Sequence, residues 1–316
     1  MALIFDHFED SSSWLDKIDI KQLYIKFKEN GYSIVEKFIS EVELLKIYQD
    51  SVSKMHSGEI DVDNWRHDLG SHQKPAYKNV ENTGQIMWPS DRLEGLVNSP
   101  LHIRGLKLSR SLLGDDLDFD FDMLIYKDAF TGGKHVNKKI NCLPGQQGET
   151  PWHQDESYWP SGMTKIEDKS IHAKFFPGRS ITIWLALDDV DELNGCLWFL
   201  PGSHRKKLRK HRTASKNSHV LTTDELDEIQ NGLAHPVPLE KGDAVFWTGR
   251  TLHYANGNFT ENLRRTYIVN YRPRKSIEYE RANGFDHLKN GFKNFNPSET
   301  AGDVYKDVSV DYKFEN

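Results

Sequence analysis

The sequence lacks the features that mark several classes of protein. Of its 316 residues only two, Cys142 and Cys196, are cysteines, which is too few for a disulfide framework. It contains no run of about 18 apolar residues that could span a membrane, and its first residues do not resemble a signal peptide. It has no excess of basic residues, since the formal net charge is −6 at pH 7. These absences predict a reduced, cytoplasmic protein that binds neither nucleic acid nor membranes.

Aromatic residues are abundant, with 8 Trp and 16 Phe, and they require a packed interior. In the first 115 residues the apolar spacing is helical, and it predicts helices over residues 19–29, 44–55 and 100–113. Ser40 and Glu43 have the spacing of a capping box before the second helix. Residues 56–90 show weak periodicity and are predicted to be irregular.

Short strands dominate the rest of the chain. They are predicted over residues 32–38, 119–126, 181–187, 196–200, 244–247 and 265–271. Asn194-Gly195 has the chemistry of a tight hairpin between two of these strands. Helices followed by many strands indicate an α+β chain with a mainly β core, either a sandwich or a double-stranded β-helix of jelly-roll type.

The chain shows no linker between domains, so a single domain over residues 1–316 is expected, with its core at about 20–275. The tail, residues 275–316, is polar with scattered aromatic residues, and is expected either to wrap the domain or to cover a site. Two long polar segments, 131–150 and 160–180, are candidates for a lid and for substrate specificity.

A candidate metal site lies in the segment from Pro151 to Asp155. On a strand, His153 and Asp155 would point to the same face. A second histidine from a distant strand would complete the two-histidine, one-carboxylate set of non-haem Fe(II) oxygenases. His253 is the best candidate, although each residue alone could also be an ordinary loop residue.

Arg264 follows His253 by eleven residues, and Arg265 stands beside it. A guanidinium can grip a carboxylate through two parallel hydrogen bonds. Either arginine could therefore bind a dicarboxylate co-substrate, and the alternative is a solvated charge pair.

Taken together, these residues resemble the phytanoyl-CoA dioxygenase family of Fe(II)/2-oxoglutarate oxygenases. The resemblance covers about residues 20–275 and includes more than the ligands. The motifs that resemble those of the family are FKENGYSIVE (27–36), WLALDD (184–189), NGCLW (194–198), PGSH (201–204) and the Gly242-Asp243 turn before His253.

The resemblance implies a double-stranded β-helix with flanking N-terminal helices. It assigns His153, Asp155 and His253 to Fe(II), and Arg264 to the distal carboxylate of 2-oxoglutarate. Lys127 and Trp184 would lie near this co-substrate, although Trp184 could equally be a core residue. Dioxygen would be consumed, and ascorbate would act as an activator.

Two local features of the match refine this expectation. Tyr254-Ala255 stands where the family often has Gly-Ser, which removes one possible hydroxyl contact to 2-oxoglutarate. The carboxylate of Asp155 argues against halogenation, because halogenases on this scaffold lack it.

The aromatic residues near the ligands, together with one loop histidine, are the candidate substrate contacts: Trp152, Tyr158, Trp159 and His172. A small polar, carboxylate-bearing metabolite is the expected substrate, because lysines are frequent in the flanking segments (Lys134, Lys138, Lys139, Lys165, Lys169 and Lys174). The expected outcome is hydroxylation, desaturation or oxidative cyclisation in specialised-metabolite biosynthesis, by a monomer or weak homodimer.

Two alternatives remain open. The first is an acyl-CoA 2-hydroxylase, which the family name and the basic run at residues 204–212 favour; that run could equally be a solvated loop, and His204 within it is expected to be structural. The second is a non-catalytic β-helix that serves as a binding module.

Overall fold

The computed structural model describes residues 14–70, 81, 83–130, 142–145, 147–159, 179–215, 220–282 and 284–291. The predicted contact His172, the six lysines named above and most of the segments 131–150 and 160–180 therefore lie outside the described residues. No helix in the described ranges is both long and apolar enough to cross a bilayer.

Four helices precede most of the strands: α1 (Ile20–Asn30), α2 (Val42–Ser57), α3 (Pro89–Arg92) and α4 (Pro100–Leu113). Asp19 caps α1 by accepting a hydrogen bond from the Gln22 N–H, and Gly31 ends it in the left-handed region at φ 85°. The predicted capping box of α2 is wrong. Glu41 is the N-cap residue and makes no side-chain cap, because its carboxylate pairs with Arg104 instead.

Seven antiparallel strands form the larger sheet. In spatial order they are β1 (Tyr32–Val35), β11 (Ala244–Trp247), β6 (Ile181–Ala186), β13 (Arg264–Pro273), β4 (Leu117–Lys127), β3 (Gly84–Met87) and β2 (Arg66–Asp68). Strands β2 and β3 correct the prediction that residues 56–90 are irregular. All four residues of β3 are buried, so this strand has no alternating pattern that sequence could reveal.

A smaller sheet of four strands has the order β10 (His235–Val237), β7 (Leu197–Phe199), β12 (His253–Ala255) and β5 (Thr150–His153). A short ribbon pairs β8 (Arg212–Thr213) with β9 (Leu221–Thr222), and two further helices are α5 (Asp227–Gln230) and α6 (Arg274–Ala282). The 3-10 turns are Leu15–Lys17, Leu96–Asn98, Asp155–Tyr158 and Ser203–Arg205.

The predicted hairpin between residues 181–187 and 196–200 is wrong. Strand β6 pairs with β11 and β13, whereas β7 pairs with β10 and β12 in the other sheet. Asn194-Gly195 does form a turn, with Gly195 at φ 90°, and the Asn194 amide donates to the Asp189 carbonyl. This turn closes locally within residues 189–196, so it carries the chain between sheets rather than pairing the flanking strands.

The larger sheet is covered on both faces. One face packs against α1, α2 and α4 through a cluster that includes Ile183, Leu185 and Tyr267. The other face shares a second cluster with the smaller sheet, including Trp184 and Ile268 from the larger sheet and Phe199 from the smaller. Side chains that alternate along β6 therefore enter different cores, and the space between the two sheets holds the candidate site.

Candidate metal centre

The two predicted histidine ligands face each other across neighbouring strands. His153 on β5 and His253 on β12 are register partners, and their ring centroids are 4.2 Å apart. Strand β5 ends at His153, and Asp155 begins a 3-10 turn, which corrects the expectation of one continuous strand. The turn still brings Asp155 Oδ1 to 3.5 Å from His153 Nε2 and 3.4 Å from His253 Nε2.

The imidazoles are held so that both Nε2 atoms face the carboxylate. Nδ1 of His153 lies 2.7 Å from the Pro151 carbonyl, and Nδ1 of His253 lies 2.9 Å from the Thr251 carbonyl. A carbonyl can only accept, so each Nδ1 carries a proton and Nε2 is the nitrogen that is placed to bind a metal. Burial lowers the pKa of His253 to about 4, which keeps the ring neutral, the form that binds a metal.

One carboxylate oxygen of Asp155 is already engaged. Its Oδ2 accepts hydrogen bonds from Trp247 Nε1 at 2.9 Å and from Thr182 Oγ1 at 3.1 Å. Trp247 and Thr182 are register partners on β11 and β6, so the larger sheet orients the carboxylate while the smaller sheet supplies the imidazoles. Sequence reasoning missed both residues, because neither lies near Asp155 in the chain.

Burial opposes ionisation of Asp155, but its surroundings reverse that effect. Burial raises the pKa of this carboxyl, whereas His253, His153 and the Trp247 indole lower it, and the net shift is downward. Asp155 therefore stays a carboxylate. Two imidazole nitrogens and one carboxylate oxygen converge on a single point, all within 4.8 Å of one another.

Gln154, between the two ligands, anchors the turn. Its amide donates to the Arg250 carbonyl at 2.6 Å, and its side-chain oxygen accepts from the Arg209 N–H at 2.9 Å. Its backbone N–H donates to His211 Nε2 at 3.1 Å, and Glu156, two residues further along the chain, forms a buried bidentate pair with Arg250. The sequence carried no signal for this network.

The structure separates the two candidate arginines. Arg264 is 2% exposed, its guanidinium carbon lies 5.5 Å from the centre of the Trp184 ring, and its Nη1 has no hydrogen-bond partner among the described residues. Arg265 points the other way and binds Asp188 through Nε and Nη2 at 3.0 and 2.6 Å. Burial lowers the pKa of Arg264 to about 10, so it remains a cation at neutral pH.

Lys127 is the register partner of Arg264 on β4. It is fully buried, and its ammonium donates to the Gly148 carbonyl at 2.8 Å. Burial, and to a lesser extent the positive charge of Arg264, lower the pKa of Lys127 well below its ordinary value. Lys127 therefore lies beside Arg264 but does not line the cavity described next.

A cavity of about 470 Å³ opens onto the three ligands and Arg264. Trp184, Tyr158 and Trp159 line it, but Trp152 does not. The Trp152 indole stacks on Tyr254 at 5.3 Å and donates to the Cys142 carbonyl. Trp152 therefore lies outside the cavity, and its predicted contact with substrate is not supported. The rest of the wall is mainly apolar and includes Leu69, Met87, Phe121, Met123, Ile125, Leu197, Val220, Ile268, Phe285 and Leu288.

Outside the cavity, His204 and the basic run have structural partners. His204 is buried, its Nε2 contacts the Lys28 carbonyl at 3.1 Å, and burial lowers its pKa to about 4. Three of the six Lys and Arg side chains of the run have acidic partners: Lys206 and Arg209 bind Glu228, and Arg212 binds Asp224.

Comparison with known proteins gives one family match. A family model described as phytanoyl-CoA dioxygenase (PhyH) matches residues 27–266. A probable alpha-ketoglutarate-dependent hypophosphite dioxygenase of Stutzerimonas stutzeri is 25% identical over 255 residues, which are 78% of this chain and 76% of that protein. A phytanoyl-CoA dioxygenase domain-containing protein 1 homolog of Caenorhabditis elegans is 27% identical over 295 residues, covering 84% and 95%.

Solved structures share the fold. EvdO2 of Micromonospora carbonacea var. aurantiaca, complexed with 2-oxoglutarate, has a TM-score of 0.57 at 24% identity, covering 81% of this chain and 91% of that one. The epimerase SnoN, in complex with Fe3+, alpha ketoglutarate and nogalamycin RO, has a TM-score of 0.54 at 20% identity, covering 80% and 83%.

Proposed function

The chain belongs to the phytanoyl-CoA dioxygenase family and is an Fe(II)- and 2-oxoglutarate-dependent dioxygenase, and on that premise we propose that it oxidises an unactivated C–H bond of a small metabolite. The observation that carries the proposal is the convergence of His153 Nε2, His253 Nε2 and Asp155 Oδ1. The second polar atom of each side chain, Nδ1 of the two histidines and Oδ2 of Asp155, is held by a hydrogen bond. One atom of each side chain is therefore left to bind a metal.

The donor set fits Fe(II). Two imidazoles and one carboxylate bind one face of an octahedral ion and leave the remaining positions open. His153, Asp155 and His253 would hold the ion. When bound, the iron would supply the oxidative chemistry, in which 2-oxoglutarate and dioxygen give succinate, carbon dioxide and an oxidised substrate.

The residues of this chain would orient the reactants. The unpartnered Nη1 of Arg264 is suited to the distal carboxylate of 2-oxoglutarate, since burying a guanidinium beside an apolar ring is costly without an anion. Trp184 forms the surface against which that guanidinium lies. The apolar wall would exclude water from the reacting carbon.

The cavity favours a substrate whose reacting part is apolar. The expected polar, carboxylate-bearing character stays a prediction, because the lysines that motivate it lie outside the described residues. A biosynthetic role draws support from fold neighbours, which include the carbocyclase SnoK from nogalamycin biosynthesis and an EctD with bound 5-hydroxyectoine. The proposal covers hydroxylation, desaturation and oxidative cyclisation as outcomes. We also infer that the two sheets are the walls of a double-stranded β-helix.

The acyl-CoA alternative draws less support from the structure. Its basis beyond the family name was the basic run at 204–212, and three of the cations in that run, Lys206, Arg209 and Arg212, already pair with acidic residues of the chain. The binding-module alternative is disfavoured because the donor set and the buried arginine are both intact.

Succinate formation tests the proposal. Purified protein with Fe(II), ascorbate and 2-oxoglutarate should release succinate slowly, and a metabolite extract should increase the rate and yield a product of changed mass. If the protein neither binds Fe(II) nor forms succinate with a broad panel of extracts, the proposal that it is an active oxygenase is wrong.

A matched pair of variants tests the arginine assignment. Arg264→Lys should raise the 2-oxoglutarate concentration needed for half-maximal rate, because lysine cannot make the paired contact. Arg265→Lys should leave that concentration unchanged, since Arg265 binds Asp188 on the other face. The reverse pattern would reassign the co-substrate site.

A further inference from the structure

A segment near the end of the described chain forms one wall of the cavity. Residues 284–291 follow α6 and lie beyond the family match, which ends at residue 266, and they include the cavity-lining residues Phe285, His287 and Leu288. Two indoles hold the backbone of the segment: Trp88 Nε1 donates to the His287 carbonyl at 3.0 Å, and Trp65 Nε1 donates to the Lys289 carbonyl at 2.8 Å. The segment is therefore a fixed part of the wall.

The backbone of this wall is strained at one place. His287 and Leu288 have φ values of 51° and 61°, in the left-handed region that side chains other than glycine rarely adopt. Such strain persists only where surrounding contacts impose it, and it clusters at ligand-binding positions. Here the strained pair turns the His287 ring toward Phe121, with the ring centroids 4.0 Å apart.

The hydrogen bonds of His287 define its tautomer. Its Nε2 lies 3.1 Å from Asp120 Oδ2 and 3.4 Å from Arg272 Nη2. Asp120 also pairs with Arg272 and Arg281, so it is ionised and can only accept. The shorter contact therefore places the proton on Nε2, which leaves Nδ1 with a lone pair. Within the described ranges, the structure shows no hydrogen bond to Nδ1.

We propose that Nδ1 of His287 accepts a hydrogen bond from a hydroxyl or N–H group of the substrate, which makes His287 a specificity-determining residue. The inference rests on the proposed function, because it takes the substrate to occupy this cavity. Phe121 stacks on the His287 ring and Phe285 meets that ring edge-on, so the imidazole lies among aromatic side chains in a mainly apolar wall. The substrate class is thus a compact, mainly apolar molecule that carries a neutral hydrogen-bond donor.

A pair of small probes tests the acceptor. Cyclohexanol has a donor, whereas methoxycyclohexane retains the oxygen but has none. Binding is measured by NMR titration with Zn(II), a diamagnetic substitute for Fe(II), and 2-oxoglutarate present, so that the metal ligands are occupied. One neutral hydrogen bond predicts that wild type binds the alcohol about fivefold to tenfold more tightly than the ether. Without a hydrogen-bond partner in the cavity, the alcohol would bind more weakly than the ether, because its hydroxyl would lose its hydrogen bonds to water without replacing them.

Two variants separate the hydrogen bond from general packing. His287→Phe should bring the alcohol-to-ether affinity ratio close to one. The matched control Phe285→Leu, in the same wall, should weaken both probes alike and keep the ratio. An unchanged ratio in His287→Phe, or no preference in wild type, would overturn the proposal.

A spectroscopic measurement on wild type avoids dependence on how variants fold. In protein labelled with 15N-histidine, His287 should show a proton on Nε2 and none on Nδ1, and cyclohexanol but not the ether should shift the Nδ1 resonance. A proton on Nδ1 would contradict the assignment. Succinate release by wild type is measured on the same preparation, so that failure of the oxygenase proposal is distinguished from failure of the His287 contact.

Discussion

The chain contains two buried groups that pair histidine with carboxylates, and they differ in their neighbours. His153, Asp155 and His253 form the first, and Asp120, Glu280 and His287 form the second; in each, the candidate ligand atoms lie within 4.8 Å of one another. In the first group, no lysine or arginine of the described chain pairs with Asp155. In the second, Arg272 binds both carboxylates and Arg281 binds Asp120.

This difference separates a metal site from a structural ion cluster. In the second group, two guanidiniums already balance two carboxylates, and a further cation would be repelled by both. Burial opposes these charges, but Arg272 and His287 outweigh it and hold the pKa of Asp120 well below its usual range. In the first group the free carboxylate oxygen of Asp155 has no lysine or arginine partner among the described residues, so the site carries a negative charge that a divalent metal would balance.

The largest expected effect comes from removing the carboxylate of the first group. Asp155→Ala should abolish Fe(II) binding and succinate release, because two imidazoles remain without an anionic ligand. Metal titration and a succinate assay measure these two properties. The control is His235→Ala, which removes an exposed histidine and should bind Fe(II) as wild type does; retention of tight binding in Asp155→Ala would show that the metal lies elsewhere.

The corresponding change in the second group should affect stability instead. Asp120→Ala leaves Arg272 and Arg281 short of a buried partner, and breaking a buried pair in this way costs about 3–5 kcal/mol. Denaturant unfolding should show that loss in the free energy of unfolding, while Fe(II) binding at temperatures where the variant is folded should persist. Loss of the metal from a fully folded Asp120→Ala variant would contradict the comparison.

The sequence predicted the first group and not the second, for a physical reason. His153 and Asp155 are two residues apart, so their proximity is local. His253 was the best candidate for the second imidazole, and the family resemblance then assigned it to the same metal. The second group joins β4 with α6 and the segment after it, where no motif or periodicity marks Asp120 or His287. Only the folded arrangement brings these residues together.

The other features that the sequence did not predict depend on how the strands pair. Arg264 and Arg265 are adjacent, so they point to opposite faces of their strand. The sequence alone does not show which of them faces the co-substrate site, because that depends on the register of the strand. Thr182 and Trp247 reach Asp155 only because β6 and β11 pair in one register. The Asn194-Gly195 turn was correctly located, but turn chemistry does not specify which strand the next segment will pair with.

A smaller effect is expected from the hydrogen bond that orients Asp155. Trp247→Phe keeps an aromatic ring but removes the indole N–H that binds Asp155 Oδ2, and loss of such a supporting contact lowers metal affinity by about 10–100-fold. Trp198→Phe is the matched control, because the Trp198 indole N–H has no partner among the described residues. Equal metal affinities in the two variants would show that Thr182 alone suffices to orient the carboxylate.

The smallest predicted effect is the pH dependence of the ion cluster. The pKa of Asp120 is lower in the folded protein than in the unfolded chain, so its ionised form adds stability above the unfolded pKa of about 3.9. That stability is lost as the pH falls toward the folded pKa, because the unfolded state then binds a proton that the folded state does not. Asp120→Asn has no such proton, so the difference in unfolding free energy between wild type and this variant should shrink by about 1 kcal/mol from pH 5 to pH 3. Denaturant titrations across that range measure it, and a difference that stays constant would mean that the arginines do not hold Asp120 ionised, which would remove the contrast between the two groups.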